Sequence, residues 1–182
     1  KSQASIAILD ETFEPYFSKL QRKEISTFVQ EKAPKNIDSA RAFARMKFSS
    51  AVMDFSSQEK EILTFVVKKT NRWLLENDIN LMANQPWRFI KIQNWLCGGF
   101  AHTRGTYIIL SQAYLDRLSN DWSDNMTEES ELKLVTSLGG LLVHEQMHSL
   151  QRTFKSKFKK IYSENWNFIN QQIKDEQEII KD

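Results

Sequence analysis

The stretch that most constrains this chain is Leu141-Leu-Val-His144-Glu145-Gln-Met-His148-Ser-Leu-Gln151. Residues four apart lie one turn apart on an α-helix, so His144 and His148 stand side by side if this stretch is helical. Ser137, Gly140, Leu141 and Gln151 share their face, while Leu132, Val135, Leu138, Leu142, Val143 and Leu150 make the other directions apolar. Such a helix is expected at the buried centre of a domain rather than on its surface. Two imidazoles placed there need a partner. The H-E-x-x-H spacing offers two nitrogen ligands to one zinc ion, with Glu145 beside them to handle a water proton. Gly139-Gly140 costs about 1 kcal/mol per glycine in a helix interior, a loss that close packing over the site could offset.

With 182 residues, 41% hydrophobic and 26% charged, the chain has the make-up of one globular domain, residues 1–182, with one core. No apolar run approaches the ~20 residues that cross a bilayer, which excludes a transmembrane helix. The net charge of +2 argues against a nucleic-acid partner. Its densest basic run, Arg152 to Lys160, reads as a solvated or substrate-facing rim, and a monomer is expected. The lone Cys97 excludes an internal disulfide and reads as a half-buried residue at a turn. Because the chain starts at Lys1 without Met, a removed leader and an extracytoplasmic location are expected.

Residues 1–84 read as a helical scaffold. Apolar spacing predicts a helix from about Ser5 to Glu31, divided by Pro15. It predicts a second, capped by Asp38 and carrying residues as far as Phe55, and a third opened by the capping box Ser56-Ser-Gln-Glu59. Residues 85–182 change character. Trp87 to Asn94 and Thr106 to Leu110 are aromatic and β-branched and predict strands, joined by a glycine-rich loop. Ser111 caps a short helix, and Thr127 opens the long one that ends in the histidine motif. A final helix is predicted from Phe154 to about Ile180. The fold class is therefore α+β, mainly helical, with a small sheet packed against the motif helix.

Catalytic zinc takes three protein ligands and leaves a position for water. The following helix supplies carboxylates, and Glu164 is the expected third ligand because it lies among Ile161, Tyr162 and Trp166. Glu176, Asp175, Glu178 and the loop residue His102 are the alternatives. These residues together point to zinc-dependent hydrolysis of a peptide or protein substrate, with Glu145 as the general base. The oxyanion donor is expected from Tyr162, then Tyr107, His102 or Arg104. The alternative is a zinc-binding interaction domain that keeps the same scaffold without catalysis.

From His102 to about Trp166 the chain resembles the zincin metallopeptidases, and among them the gluzincins, which follow H-E-x-x-H with a glutamate ligand on a later helix. It is also similar to compact bacterial zincin domains in which a strand ending in I-x-L precedes L-x-H-E-x-x-H-x-x-Q. The matching pieces are Ile108-Ile-Leu110 and Leu142 to Gln151. In that family the strand borders the cleft and pairs with extended substrate, which implies that Thr106 to Leu110 is the substrate edge. The metzincin pattern is excluded, since Gln151 and Phe154 stand where its glycine and third histidine would be.

Overall fold

Ile108-Ile109-Leu110 is apolar without alternation, as a strand buried on both faces has to be. It lies in the interior of a four-stranded sheet, with Ile108 and Leu110 facing one apolar cluster and Ile109 facing another. The structure, a computed structural model, describes residues 2–123 and 125–168. Its helices are α1 (Gln3–Ala7), α2 (Arg22–Val29), α3 (Ile37–Ser50), α4 (Ser57–Glu76), α5 (Asn80–Ala83), α6 (Gln112–Asp121), α7 (Glu128–Thr153) and α8 (Lys155–Lys160), the last running into a π-helical turn, Ile161–Asn165. The strands are β1 (Val52–Met53), β2 (Phe89–Ile92), β3 (His102–Arg104) and β4 (Tyr107–Ser111). The fold is α+β and mainly helical.

The sheet runs in the order β1-β2-β4-β3, with β2 and β4 parallel and both edge strands antiparallel to their neighbours. Apolar side chains of α2, α3 and the segment before them cover one face, around Phe17, Phe48, Ile90 and Ile92. Those of α4, α6 and α7 cover the other, around Ile62, Val66, Leu138 and Leu142. The expected single core is thus split by the sheet. Lys91 points out of β2 on the α4 side and meets Glu59 at 2.9 Å to both carboxylate oxygens, a fully buried ion pair. Glu59 also closes the capping box with Ser56, so one side chain both starts α4 and ties it to the sheet.

Local chemistry explains several boundaries. The helix expected from Ser5 to Glu31 with a division at Pro15 is two helices, α1 and α2, with Pro15 in the segment between them and a short 3-10 turn at Phe17–Lys19. Asp10 Oδ1 accepts the Thr12 backbone N–H, Glu11 accepts that of Tyr16, and Gln21 with Glu24 restarts the helix as a capping box. Asn36, rather than Asp38, caps α3. Val52, expected to continue that helix, instead pairs with Ile92 in β1. The long helix α7 begins at Thr127 and buries Leu134, Leu138, Leu142 and Leu150, but Leu132 is 67% exposed. Of its two glycines, Gly139 is the one that packs closely: a Cβ there would lie 2.7 Å from Thr70 Oγ1 of α4, whereas one at Gly140 meets nothing within 4 Å. The close approach therefore joins α7 to α4 and does not serve the histidine face.

Candidate functional site

The residues between the two expected strands hold a third strand. β3 folds back on β4 through Gly105-Thr106, a two-residue turn whose first position is left-handed, with φ of +55°. This places β3 at the sheet edge and against α7, and it encloses β4 between two neighbours. The strand expected to be the substrate edge is therefore interior, and the free edge beside the motif helix belongs to His102–Arg104.

On α7 the imidazoles of His144 and His148 are packed edge to face, with their Nε2 atoms 3.2 Å apart. His148 Nδ1 lies 3.1 Å from Gln151 Oε1. An amide oxygen can only accept, so Nδ1 carries a proton, and the tautomer this contact selects is the one that keeps Nε2 free to act as a ligand. Gln151 in turn donates from Nε2 to the Tyr162 hydroxyl at 2.6 Å. Between the histidines in sequence, Glu145 is turned inward and 4% exposed. Its Oε2 accepts the Thr103 hydroxyl of β3 at 2.6 Å, and the same hydroxyl is 2.9 Å from its backbone carbonyl. Edge strand and motif helix are thus joined at the expected base.

His144, His148, Glu145 and Thr103 border a cavity of about 610 Å³. Its other walls include Tyr16, Phe28, Phe100, His102 and Arg152. A comparison with protein-family models, curated proteins and solved structures finds no match. The chemistry of the cavity is accordingly read from its own atoms.

His102 Nδ1 lies 2.9 Å from the Phe100 carbonyl and must donate to it, which leaves Nε2 as an acceptor, buried and without a partner. Burial lowers the imidazole below its usual 6.5 against the raising effects of the Phe100 carbonyl and the Glu145 charge. A neutral ring in this tautomer has no N–H to offer a developing oxyanion, so His102 suits acceptance or ligation rather than that role. Cys97 also lines the cavity, at φ of +51°, and burial pushes its thiol up to about 12. It is not a nucleophile at neutral pH.

Several residues expected at the site stand elsewhere. Glu164 is exposed in the π-helical turn, 3.7 Å from Lys160, and among the described residues no three His, Cys, Asp or Glu side chains form a metal-holding group. The physical reason is the break at Phe154, whose φ of −115° and ψ of 41° end α7, so the helical register that sets His144 and His148 side by side does not run on unbroken to Glu164. Tyr162 packs with Phe158, Trp166 and Phe168 beside a different groove and reaches the histidines only through Gln151. It is a positioning residue here, not a group on the cavity wall. Tyr107 and Arg104 do not line the cavity either; Arg104 stacks over Tyr16, with 3.6 Å between guanidinium and ring centre. Asp175, Glu176 and Glu178 lie outside the described residues. The sequence alone does not mark Thr103 and Arg152: Thr103 lies in a glycine-rich stretch that reads as a loop, and Arg152 opens the basic run to Lys160, although it stands four residues beyond His148.

Proposed function

We propose that this chain is a zinc-dependent metallopeptidase of the zincin kind. The observation that carries this is the 3.2 Å between His144 Nε2 and His148 Nε2. Two nitrogens that share a tetrahedral zinc at about 2.0–2.1 Å lie about 3.3 Å from each other, so the pair fits the ion as it stands. The Gln151 contact, which fixes the His148 tautomer, supports the same assignment. His144 and His148 would hold the metal, with the third ligand supplied either by His102, whose unpartnered Nε2 borders the same cavity, or by Asp175, Glu176 or Glu178, which lie outside the described residues. Bound there, zinc supplies the Lewis acidity that makes water a nucleophile near neutral pH and polarises a peptide carbonyl.

The chain's own groups do the rest. Glu145 takes the proton of the attacking water and returns it to the leaving amine nitrogen. Thr103 holds Oε2, which leaves Oε1 for that proton and keeps the carboxylate from swinging. Among the described residues the outer side of β3 has no sheet partner, and an extended peptide can lie along this strand, whose Thr103 contacts Glu145. The test is zinc content together with cleavage of casein or a quenched peptide by the native chain and by Glu145→Gln. Stoichiometric zinc with loss of turnover only in the variant is expected; equal turnover in both overturns the role of Glu145.

A second reading, a zinc-binding interaction domain without catalysis, is favoured by one observation, that among the described residues no three His, Cys, Asp or Glu side chains are assembled into a metal-holding group. It predicts zinc binding with no cleavage of any peptide by the native chain.

A further inference from the structure

His144, His148 and Arg152 recur at intervals of four residues, which puts all three on one side of α7. Side chains on a helix lean toward its N-terminus, so the guanidinium leans back toward His148, and Arg152 lines the same cavity as the two histidines and Glu145. Among the described lining residues it is the only Lys or Arg, and Glu145 is the only acid. Its Nε donates to Glu14 Oε1 at 2.8 Å, which uses one side of the guanidinium. Its Nη1 is buried and has no acceptor among the described residues. A buried N–H donor without a partner is costly, and the cost is recovered when an acceptor arrives. Arg104, stacked on Tyr16 of the cavity wall, adds a second positive charge nearby.

We propose that Arg152 anchors a carboxylate of the substrate, one that belongs either to an acidic side chain or to the free C-terminus of a peptide. The planar fork of a guanidinium matches a carboxylate in two parallel hydrogen bonds, and Glu14 occupies only the Nε side of it. The proposal rests on the metallopeptidase reading for what happens beside the anchor, but the anchor itself needs no metal. An enzyme with this device selects peptides by a carboxylate set at a fixed distance from the bond that Glu145 serves.

Four blocked peptides of one sequence test it: an internal Asp against Asn with both ends blocked, and an Ala version with a free against an amidated C-terminus. Binding to the metal-free full chain is measured by calorimetry. One carboxylate probe should bind tighter than its uncharged twin by about tenfold or more, and Arg152→Gln should erase that ratio. The Asp pair separating assigns an acidic side chain, and the terminal pair separating assigns the C-terminal carboxylate. Because Arg152→Gln also removes the bridge to Glu14, Glu14→Gln is the second variant: it frees the guanidinium and should widen the ratio, whereas a purely structural bridge predicts no widening. Equal binding within both pairs, or a ratio that survives Arg152→Gln, overturns the proposal. The same peptides are then given to the zinc-loaded chain. Selective binding with no cleavage leaves the anchor standing and removes the metallopeptidase reading; cleavage indifferent to the carboxylate removes the anchor alone.

Discussion

Thr103 Oγ1 of the edge strand lies 2.6 Å from Glu145 Oε2 of the motif helix, so the sheet directly holds the carboxylate proposed as the base. Thr103→Val keeps the shape and removes the hydroxyl. Peptide cleavage should fall roughly tenfold to hundredfold because the carboxylate is no longer oriented, while zinc content stays unchanged. Thr103→Ser should restore most of the rate. Steady-state kinetics paired with metal analysis decides it; a Thr103→Val enzyme as fast as the native one removes the link between β3 and catalysis.

Gln151 is the next candidate for substitution, since it accepts the Nδ1 proton of His148. Gln151→Leu should weaken zinc binding about tenfold to hundredfold, the usual effect of deleting a group that orients a metal-ligating histidine. A competition titration with a chromophoric chelator measures this. Tyr162→Phe, one bond further away, should produce a smaller loss of affinity. If Tyr162 instead met the substrate directly, turnover would fall with zinc affinity intact.

The two glycines of α7 should behave in opposite ways. Gly139→Ala drives a methyl to 2.7 Å from Thr70 Oγ1, a stiff β-branched side chain in a packed interface, and should cost about 1–3 kcal/mol. Gly140→Ala has open space and should gain up to about 1 kcal/mol of helix propensity. Denaturant midpoints give both values, and Thr70→Ala combined with Gly139→Ala should recover most of the loss.

The Lys91–Glu59 pair fixes α4 to the sheet without reference to the site. Lys91→Met leaves a buried carboxylate unpaired and should cost about 3–5 kcal/mol. Burial alone would raise the Glu59 carboxyl, but hydrogen bonds from Lys91 and the Ser56 backbone, with the Lys91 charge, hold it below its usual 4.5. A carboxyl lowered on folding adds stability above its unfolded value and loses it as pH falls through the lower folded one. The native chain should therefore lose part of its stability on acidification below 4.5, and that part should be absent from Lys91→Met. Denaturation curves across the acid range test both statements.

Elements announced by strong local chemistry were legible without coordinates. The Ser56–Glu59 capping box, the Ser111 cap and the Thr127 start of the motif helix all occur where the residues indicate. The strand β3 was not legible, since Cys97 to Gly105 offers three residues of pairing among glycines, and a three-residue strand has too little periodicity to stand out. Pro15 announces the split of the N-terminal helix, but the length of the segment between α1 and α2 depends on Asp10 and Glu11 each capturing a backbone N–H, a competition that apolar spacing does not register.

By itself, the sequence determined the α+β class, the motif helix and the pairing of His144 with His148, because helical periodicity acts within four residues and needs nothing from the rest of the chain. Only the tertiary structure decided which strand faces the motif, that Thr103 grips Glu145, that Arg152 shares the cavity, and that Glu164 stands out toward solvent beside Lys160. Those relationships join residues through a turn at Gly105 and a break at Phe154, and the direction in which a chain leaves such points is set by what it packs against.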